Sequence, residues 1–210
     1  MGKVIAFSNQ KGGSGKSTLS ANIAVLWSNS GYKVAVIDAD PQKSLSYWHT
    51  ERKKYYGEDD IGIDFYQFDI RNLSGEIKKI KRKYDYIIID SPPAITFETI
   101  QIIKVSNGIF VPVQPSPLDL MATLPFLQIA RDERKKPLII LNRVMPRARL
   151  TDAMVLRLRY SGAKVARSRI SSKVIFAETF ALGRGVIDIN VTSDVSREII
   201  NVGNEIIRNL

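Results

Sequence analysis

Cysteine is absent from all 210 residues, and histidine occurs once, at His49. The first absence excludes disulfides, thiolate metal sites, iron–sulfur ligation and cysteine nucleophiles, and is compatible with a reducing compartment. Long hydrophobic runs are missing too. None approaches the roughly 18–20 residues of a membrane span, so no stable membrane insertion is expected. The short apolar stretch after Lys3 is too brief for a signal peptide. No internal repeat, linker or low-complexity tract interrupts the chain, and one domain over residues 1–210 is expected, long enough to bury a full core. Acid is scarce: 21 Asp and Glu face 31 Lys and Arg, for a net charge of +10. Between Arg143 and Lys173 there are nine basic residues and one acid, Asp152, so this segment alone carries +8. Such concentration favours a polyanionic partner over a merely solvated face.

Strand-like and helix-like stretches alternate along the chain, which predicts an α/β fold: a mostly parallel twisted sheet with helices on both faces. Strands are expected at residues 4–7, 34–37, 63–68 (an edge strand), 86–89, 109–113, 138–141 and, briefly, 163–166. The continuous run Tyr86-Ile87-Ile88-Ile89 has the composition of a strand buried on both faces. Helices are expected at 16–29, closed by Gly31, at 41–55, around 77–83, at 118–133 with a kink at Pro125, and near 171–182 and 193–209. A further amphipathic segment carries Leu150, Met154 and Leu158. His49 falls in a polar helix and reads as a surface residue, whereas Trp27 and Trp48 read as packing residues. The C-terminal stripe of Ile199, Val202, Ile206 and Leu210 lacks a strongly basic flank and should pack onto the domain.

The chemistry concentrates in three places. The first is the loop Lys11-Gly12-Gly13-Ser14-Gly15-Lys16-Ser17-Thr18 between a strand and a helix. Glycines let successive backbone N–H groups curl around a phosphate, and the helix adds its positive N-terminal end. Lys16 can reach β- and γ-phosphates, and Ser17 can ligate Mg²⁺. The usual P-loop has glycine where Gln10 stands, and here a second lysine, Lys11, opens the loop. The second place is Asp38-Ala39-Asp40-Pro41-Gln42 and the third Asp90-Ser91-Pro92-Pro93, each at the end of an apolar strand. Open α/β sheets bind ligands at that edge.

Together with Val113-Gln114-Pro115-Ser116-Pro117-Leu118-Asp119, these motifs resemble the ParA/MinD family of deviant Walker ATPases (P-loop NTPases with a deviant Walker A). Within it they resemble the small ParA-type partition proteins that lack an N-terminal DNA-binding domain. The resemblance runs from Lys3 to about Ile207. It implies an ATP hydrolase with Mg²⁺ and ATP as ligands, ATP also forming part of a homodimer interface. It makes Lys11, Lys16 and Asp40 the catalytic set: Lys11 reaches the partner subunit's phosphates and Asp40 positions the attacking water. Ser17, Asp38 and Asp90 surround the metal, Asp90 through water, and Asn142 with the Pro115-Ser116-Pro117 stretch frames the adenine. The implied function is DNA partition, with an ATP-bound dimer on non-specific double-stranded DNA, stimulated by a ParB-like centromere-binding adaptor in a cytoplasmic, nucleoid-associated setting. The basic set Arg143, Arg147, Arg149, Arg157, Arg159, Lys164, Arg167, Arg169 and Lys173 then becomes the DNA surface, suited to phosphates rather than base edges. A MinD-like or cargo-positioning ATPase acting on a protein complex or a membrane site is the alternative. The absence of cysteine excludes the nitrogenase iron protein branch. The last tyrosine, Tyr160, falls too early for the C-terminal tyrosine cluster of the tyrosine-kinase relatives.

Overall fold

The computed structural model describes residues 2–57, 62–145 and 149–210. Seven strands form one sheet, all parallel: β1 Lys3–Phe7, β2 Val34–Asp38, β3 Ile63–Tyr66, β4 Tyr86–Asp90, β5 Gly108–Val113, β6 Leu138–Val144 and β7 Lys164–Ser171, in the order β3-β2-β4-β1-β5-β6-β7. Parallel neighbours cannot be joined by tight turns, so helices must cross over and cover both faces. The continuous apolar strands divide their side chains with period two. Ile5, Phe7 and Ile88 enter a core on one face, with Trp27 of α1 (Lys16–Asn29), Trp48 of α2 (Ser44–Tyr56) and Ile199, Val202 and Ile206 of the C-terminal helix. Val4, Ala6, Ile87 and Ile89 enter the other face, against Leu73 and Ile77 of α3 (Leu73–Ile80) and Ile102 of α4 (Phe97–Val105). Beyond them, α5 (Pro117–Asp132) and α6 (Arg149–Tyr160) cover β5–β7 on that second face.

Local signals explain several boundaries. Gly31 takes φ 85°, and the amides of Gly31 and Tyr32 return to the carbonyls of Ser28 and Trp27 at 2.9 and 3.0 Å, closing α1. This left-handed position is cheap only for glycine. Ser116 caps α5 by accepting the Asp119 amide, and the helix runs through Pro125 without interruption. Three helices complete the fold: α7 (Ile175–Ala181), α8 (Val186–Ile189) and α9 (Asp194–Ile207).

Several sequence expectations are corrected. Helix α2 starts at Ser44 rather than 41, because residues 41–43 turn after Asp40, the Lys43 amide returning to the Asp40 carbonyl, and Lys43 takes φ 53°. Residues 171–174 belong to the end of β7 and the turn after it, so that helix begins only at Ile175. The last strand is eight residues long rather than a short one, and α4 and α8 were not anticipated. His49 is not a surface residue: it is 8% exposed and stacks on Phe65, with ring centroids 4.5 Å apart. Its helix is polar in composition, yet β3 closes over that ring. The tryptophans and the C-terminal stripe pack as expected.

An ion pair sits inside the helical layer that bears on the site. Arg52 of α2 meets Asp188 of α8 at 2.8 Å, both side chains about 95% shielded, and Asp188 also accepts the Gly185 amide at 2.9 Å. Removing the acid takes away this ion pair and leaves the buried Gly185 amide without its acceptor, while Arg52 keeps its bond to the Gly183 carbonyl. Asp188→Ala should therefore destabilise the fold by about 1–3 kcal/mol, measured as a lower urea midpoint with an unchanged m-value.

Candidate nucleotide-binding site

The three motifs converge at the carboxyl edge of the central strands. Register places Asp90 beside both Phe7 and Asp38, so the loop that follows β1 lies over the two acids. In that loop Gly13 and Gly15 have φ of 73° and 98°, and Gly15 is the N-terminal boundary of α1 with no side chain capping the helix. No acidic residue occupies the first turn of α1, which leaves its amide end to an external anion. A Cβ at Gly15 would fall 2.0 Å from Asn142 Nδ2. That amide donates to the Ser14 carbonyl at 2.7 Å and holds the loop down. Gln114 does the same from the other side, donating to the Gly13 carbonyl at 3.0 Å.

A cleft of about 380 Å³ opens over this loop, lined by Gly12, Gly13, Gly15, Lys16, Ser17, Thr18, Asp40, Gln42, Ser44, Pro93, Arg143 and Phe180. Lys16 is buried, and desolvation lowers its pKa against the opposing pull of Asp90 and Asp40. Lys11 does not line the cleft. Its ammonium lies 2.7 Å from Asp119 of α5.

The acids divide their tasks. Asp38 accepts the Asp40 amide at 3.1 Å through one oxygen and the Ser46 amide and hydroxyl at 2.8 and 2.6 Å through the other. Its carboxylate therefore organises the turn into α2, while Oδ1 keeps acceptor capacity beyond the Asp40 amide. Asp40 gives one oxygen to the Gln42 amide at 2.9 Å and faces the cleft. Asp90 is fully buried with neither carboxylate oxygen in a hydrogen bond of normal geometry. Burial pushes its carboxyl up to about 7, with Asp38 and Asp40 reinforcing the shift and Ser17 and Lys16 opposing it.

An orphaned buried carboxylate facing a serine at the mouth of a phosphate loop fits a divalent cation. Among the described residues no group of three or more His, Asp or Glu converges on a metal. That suits Mg²⁺, which takes one or two protein oxygens and completes its shell with phosphate and water.

A second, smaller cavity adjoins the loop, lined by Gly15, Thr18, Leu19, Asn142, Arg143, Ile170, Ser171, Ser172, Lys173, Phe176 and Ala177. Half-buried Pro115 lies outside both linings. Asn142, which with the Pro115-Ser116-Pro117 stretch was expected to frame the adenine, lines this second cavity. The end of β7 and the start of α7 supply the rest. Strand-end position is the sequence signal that could have found them, had β7 been read to its full length. Arg143 and Lys173, assigned to DNA by charge alone, are lining residues here. Arg143 takes φ 53°, a conformation that costs of order 1–3 kcal/mol in a non-glycine residue and clusters at functional sites.

The remaining basic residues lie elsewhere. Arg157 and Arg159 on α6 and Lys164, Arg167 and Arg169 on β7 are exposed. Arg169 reaches Asp152 of α6 at 3.1 Å, so the two elements share a surface. Arg147, and the side chains of Arg149 and Leu150, lie outside the described residues, as do residues 58–61.

Comparison with known proteins agrees with this geometry. Residues 5–186 match the family described as the CobQ/CobB/MinD/ParA nucleotide binding domain. The chain belongs to that family. Among MinD/ParA relatives, Maintenance of carboxysome distribution protein A of Halothiobacillus neapolitanus is 29% identical over 210 residues, covering 97% of this chain and 95% of its own. The apo McdA structure from Cyanothece superposes with a TM-score of 0.83 at 18% identity, covering 99% of this chain and all of that one. The septum site-determining protein MinD of Pyrococcus horikoshii, complexed with Mg-ADP, gives 0.78 at 20% identity over 98% and 96%. These two likenesses speak to the fold alone. No helix among the described residues of this MinD/ParA-family chain is long and apolar enough to cross a membrane.

The Asp90 shift has a pH signature. A carboxyl raised from 3.8 to about 7 binds its proton more tightly when folded, so it contributes stability below pH 4 that is lost as pH rises to about 7. His49, lowered from 6.5 to about 4 chiefly by desolvation, acts in the opposite sense across pH 4–6.5. Comparing wild type with Asp90→Asn isolates the acid: the nucleotide-free variant should gain relative stability as pH rises from 5 to 8, read by urea denaturation.

Proposed function

We propose that this chain is an ATP-driven switch: it binds Mg-ATP, dimerises around it, attaches to DNA of any sequence as the dimer, and resets by hydrolysis. The observation that carries the reading is the separation of the two lysines, with Lys16 buried in the phosphate cleft and Lys11 outside it on α5. A lysine at the loop that does not serve its own phosphates is available to Lys11's counterpart site across a dimer. Lys16 and the loop amides would hold the β- and γ-phosphates. Mg²⁺, when bound, neutralises phosphate charge, and Ser17 and Asp90 would hold it. Hydrolysis exchanges the bond from the γ-phosphorus to the β–γ bridging oxygen for one from water. Asp40 would orient that water, while Lys16 and Lys11 of the partner subunit would offset charge developing on the leaving diphosphate. Arg143, Ser172, Lys173 and Phe176 would surround the base and ribose.

The direct test compares single lysine variants by calorimetry and sedimentation. Lys16→Ala should abolish ATP binding. Lys11→Ala should bind Mg-ATP within a few-fold of wild type, yet fail to dimerise or hydrolyse it. Equal loss of ATP affinity in both would overturn the trans assignment.

The DNA surface in this reading is formed by Arg157, Arg159, Lys164, Arg167 and Arg169. One subunit offers too few phosphate contacts for tight binding at physiological salt, and two subunits aligned by ATP double the number. About eight neutralised phosphates per dimer give a log–log salt slope of roughly −7. A titration on two unrelated duplexes, with and without ATP, should give that slope for both duplexes only with ATP. Charge reversal at Arg157 and Arg159 should weaken binding to both alike.

The cargo has two readings. Partition of DNA through a ParB-like adaptor follows from the family resemblance. Positioning of a protein assembly is favoured by the end-to-end match to a carboxysome distribution protein. Pull-down with the tagged ATP-bound dimer separates them by whether the captured partner binds a specific DNA site.

A further inference from the structure

Asp119 stands 108 residues from Lys11 in sequence, yet its carboxylate is where the Lys11 ammonium rests, 2.7 Å away. The side chain of Asp119 is 3% exposed and that of Lys11 39%. The Ser116 hydroxyl donates to the same carboxylate oxygen as Lys11, while Oδ1 is buried with no hydrogen-bond partner. Nearby contacts fasten the rest of the loop's first half to the same region: the Gln10 amide donates to the Ala122 carbonyl, and Gln114 to that of Gly13. The front of the phosphate loop is thus tied to the first two turns of α5 and to Gln114 just before them, and Lys11 is the tie that carries charge.

We infer that Asp119 is a positioning residue that latches Lys11 in cis in the ATP-free subunit, and that both latches must open before two subunits can exchange lysines across bound ATP. The inference rests on the trans role of Lys11 argued above. A carboxylate this deeply buried is costly to strip of its cation, so Lys11 leaves only for a stronger anion. A triphosphate in the facing subunit is such an anion. The latch therefore keeps the nucleotide-free chain monomeric and makes release depend on ATP. Each dimer opens two latches, so the latch constant enters the apparent dimer dissociation constant as a square. A latch favoured about fivefold would weaken dimerisation roughly thirtyfold.

Two measurements test this. In sedimentation with saturating Mg-ATP, Asp119→Asn should dimerise at least about tenfold more tightly than wild type, whereas Asp119→Glu, which keeps the charge, should stay near wild type. The double variant Lys11→Ala/Asp119→Asn should behave as Lys11→Ala alone, because the effect passes through that lysine. In the nucleotide-free protein, amine acetylation read by mass spectrometry should find Lys11 several-fold slower than exposed Lys43 in wild type and close to it in Asp119→Asn. Dimerisation of Asp119→Asn no tighter than wild type, beside a defective Lys11→Ala, overturns the latch and leaves the trans reading standing. If Lys11→Ala dimerises normally, the trans reading falls and the latch with it. Should Asp119→Asn not fold, the wild-type labelling decides: Lys11 reacting as fast as Lys43 overturns the latch.

Discussion

The buried carboxyl of Asp90 sets the terms for everything at the carboxyl edge of the sheet. It sits at the end of a strand covered on both faces, beside Asp38 in register, with no hydrogen bond of normal geometry and a pKa raised to about 7. Lys16 faces the same desolvation from the other sign. Neither charge is well settled by the protein alone. A cation with a polyphosphate supplies what each lacks, positive charge for the acid and negative charge for the lysine and the bare end of α1. Ligand binding in such a site completes electrostatics that folding leaves open.

Rigid scaffolding makes that incomplete arrangement affordable. The loop glycines reach left-handed conformations, Asn142 and Gln114 pin the loop carbonyls, and Asp38 spends its oxygens on the turn into α2. The same α2 is anchored at its far end through Arg52 to Asp188. Residues 39–43 are thus held at both ends, by the strand register of Asp38 and by its bond to the Ser46 amide of α2, while Asp40 between them faces the cleft. Two basic populations follow from the topology. Arg143 near the end of β6 and Lys173 just past β7 line the cavity beside the loop, whereas Arg157 and Arg159 on α6 and Lys164, Arg167 and Arg169 on the edge strand β7 point outward.

How much of this could be read from sequence differs by element. A mostly parallel sheet was legible because buried strands appear as short β-branched runs separated by helical stretches, and the phosphate loop because its chemistry is local: glycines, lysine and serine act within eight residues of one another. The acids at 38, 40 and 90 were legible as strand-end residues. Where contacts come from distant segments, the sequence was silent or misleading. His49 lies in a polar helix and is buried by β3, an element 14 residues later. The cavity beside the loop is lined from the end of β7 and the start of α7, which no local motif announces.

Sequence by itself determined the class of fold, the site of phosphate binding and the excess of positive charge in one segment, since each depends on residue type at short range. Tertiary structure alone decided which of those charges line the cavity beside the loop, that Asp38 is bonded to Ser46, and that Lys11 lies on Asp119. Those outcomes depend on strand order and helix packing, which bring together side chains from positions as far apart as 11 and 119, and no local pattern encodes that approach.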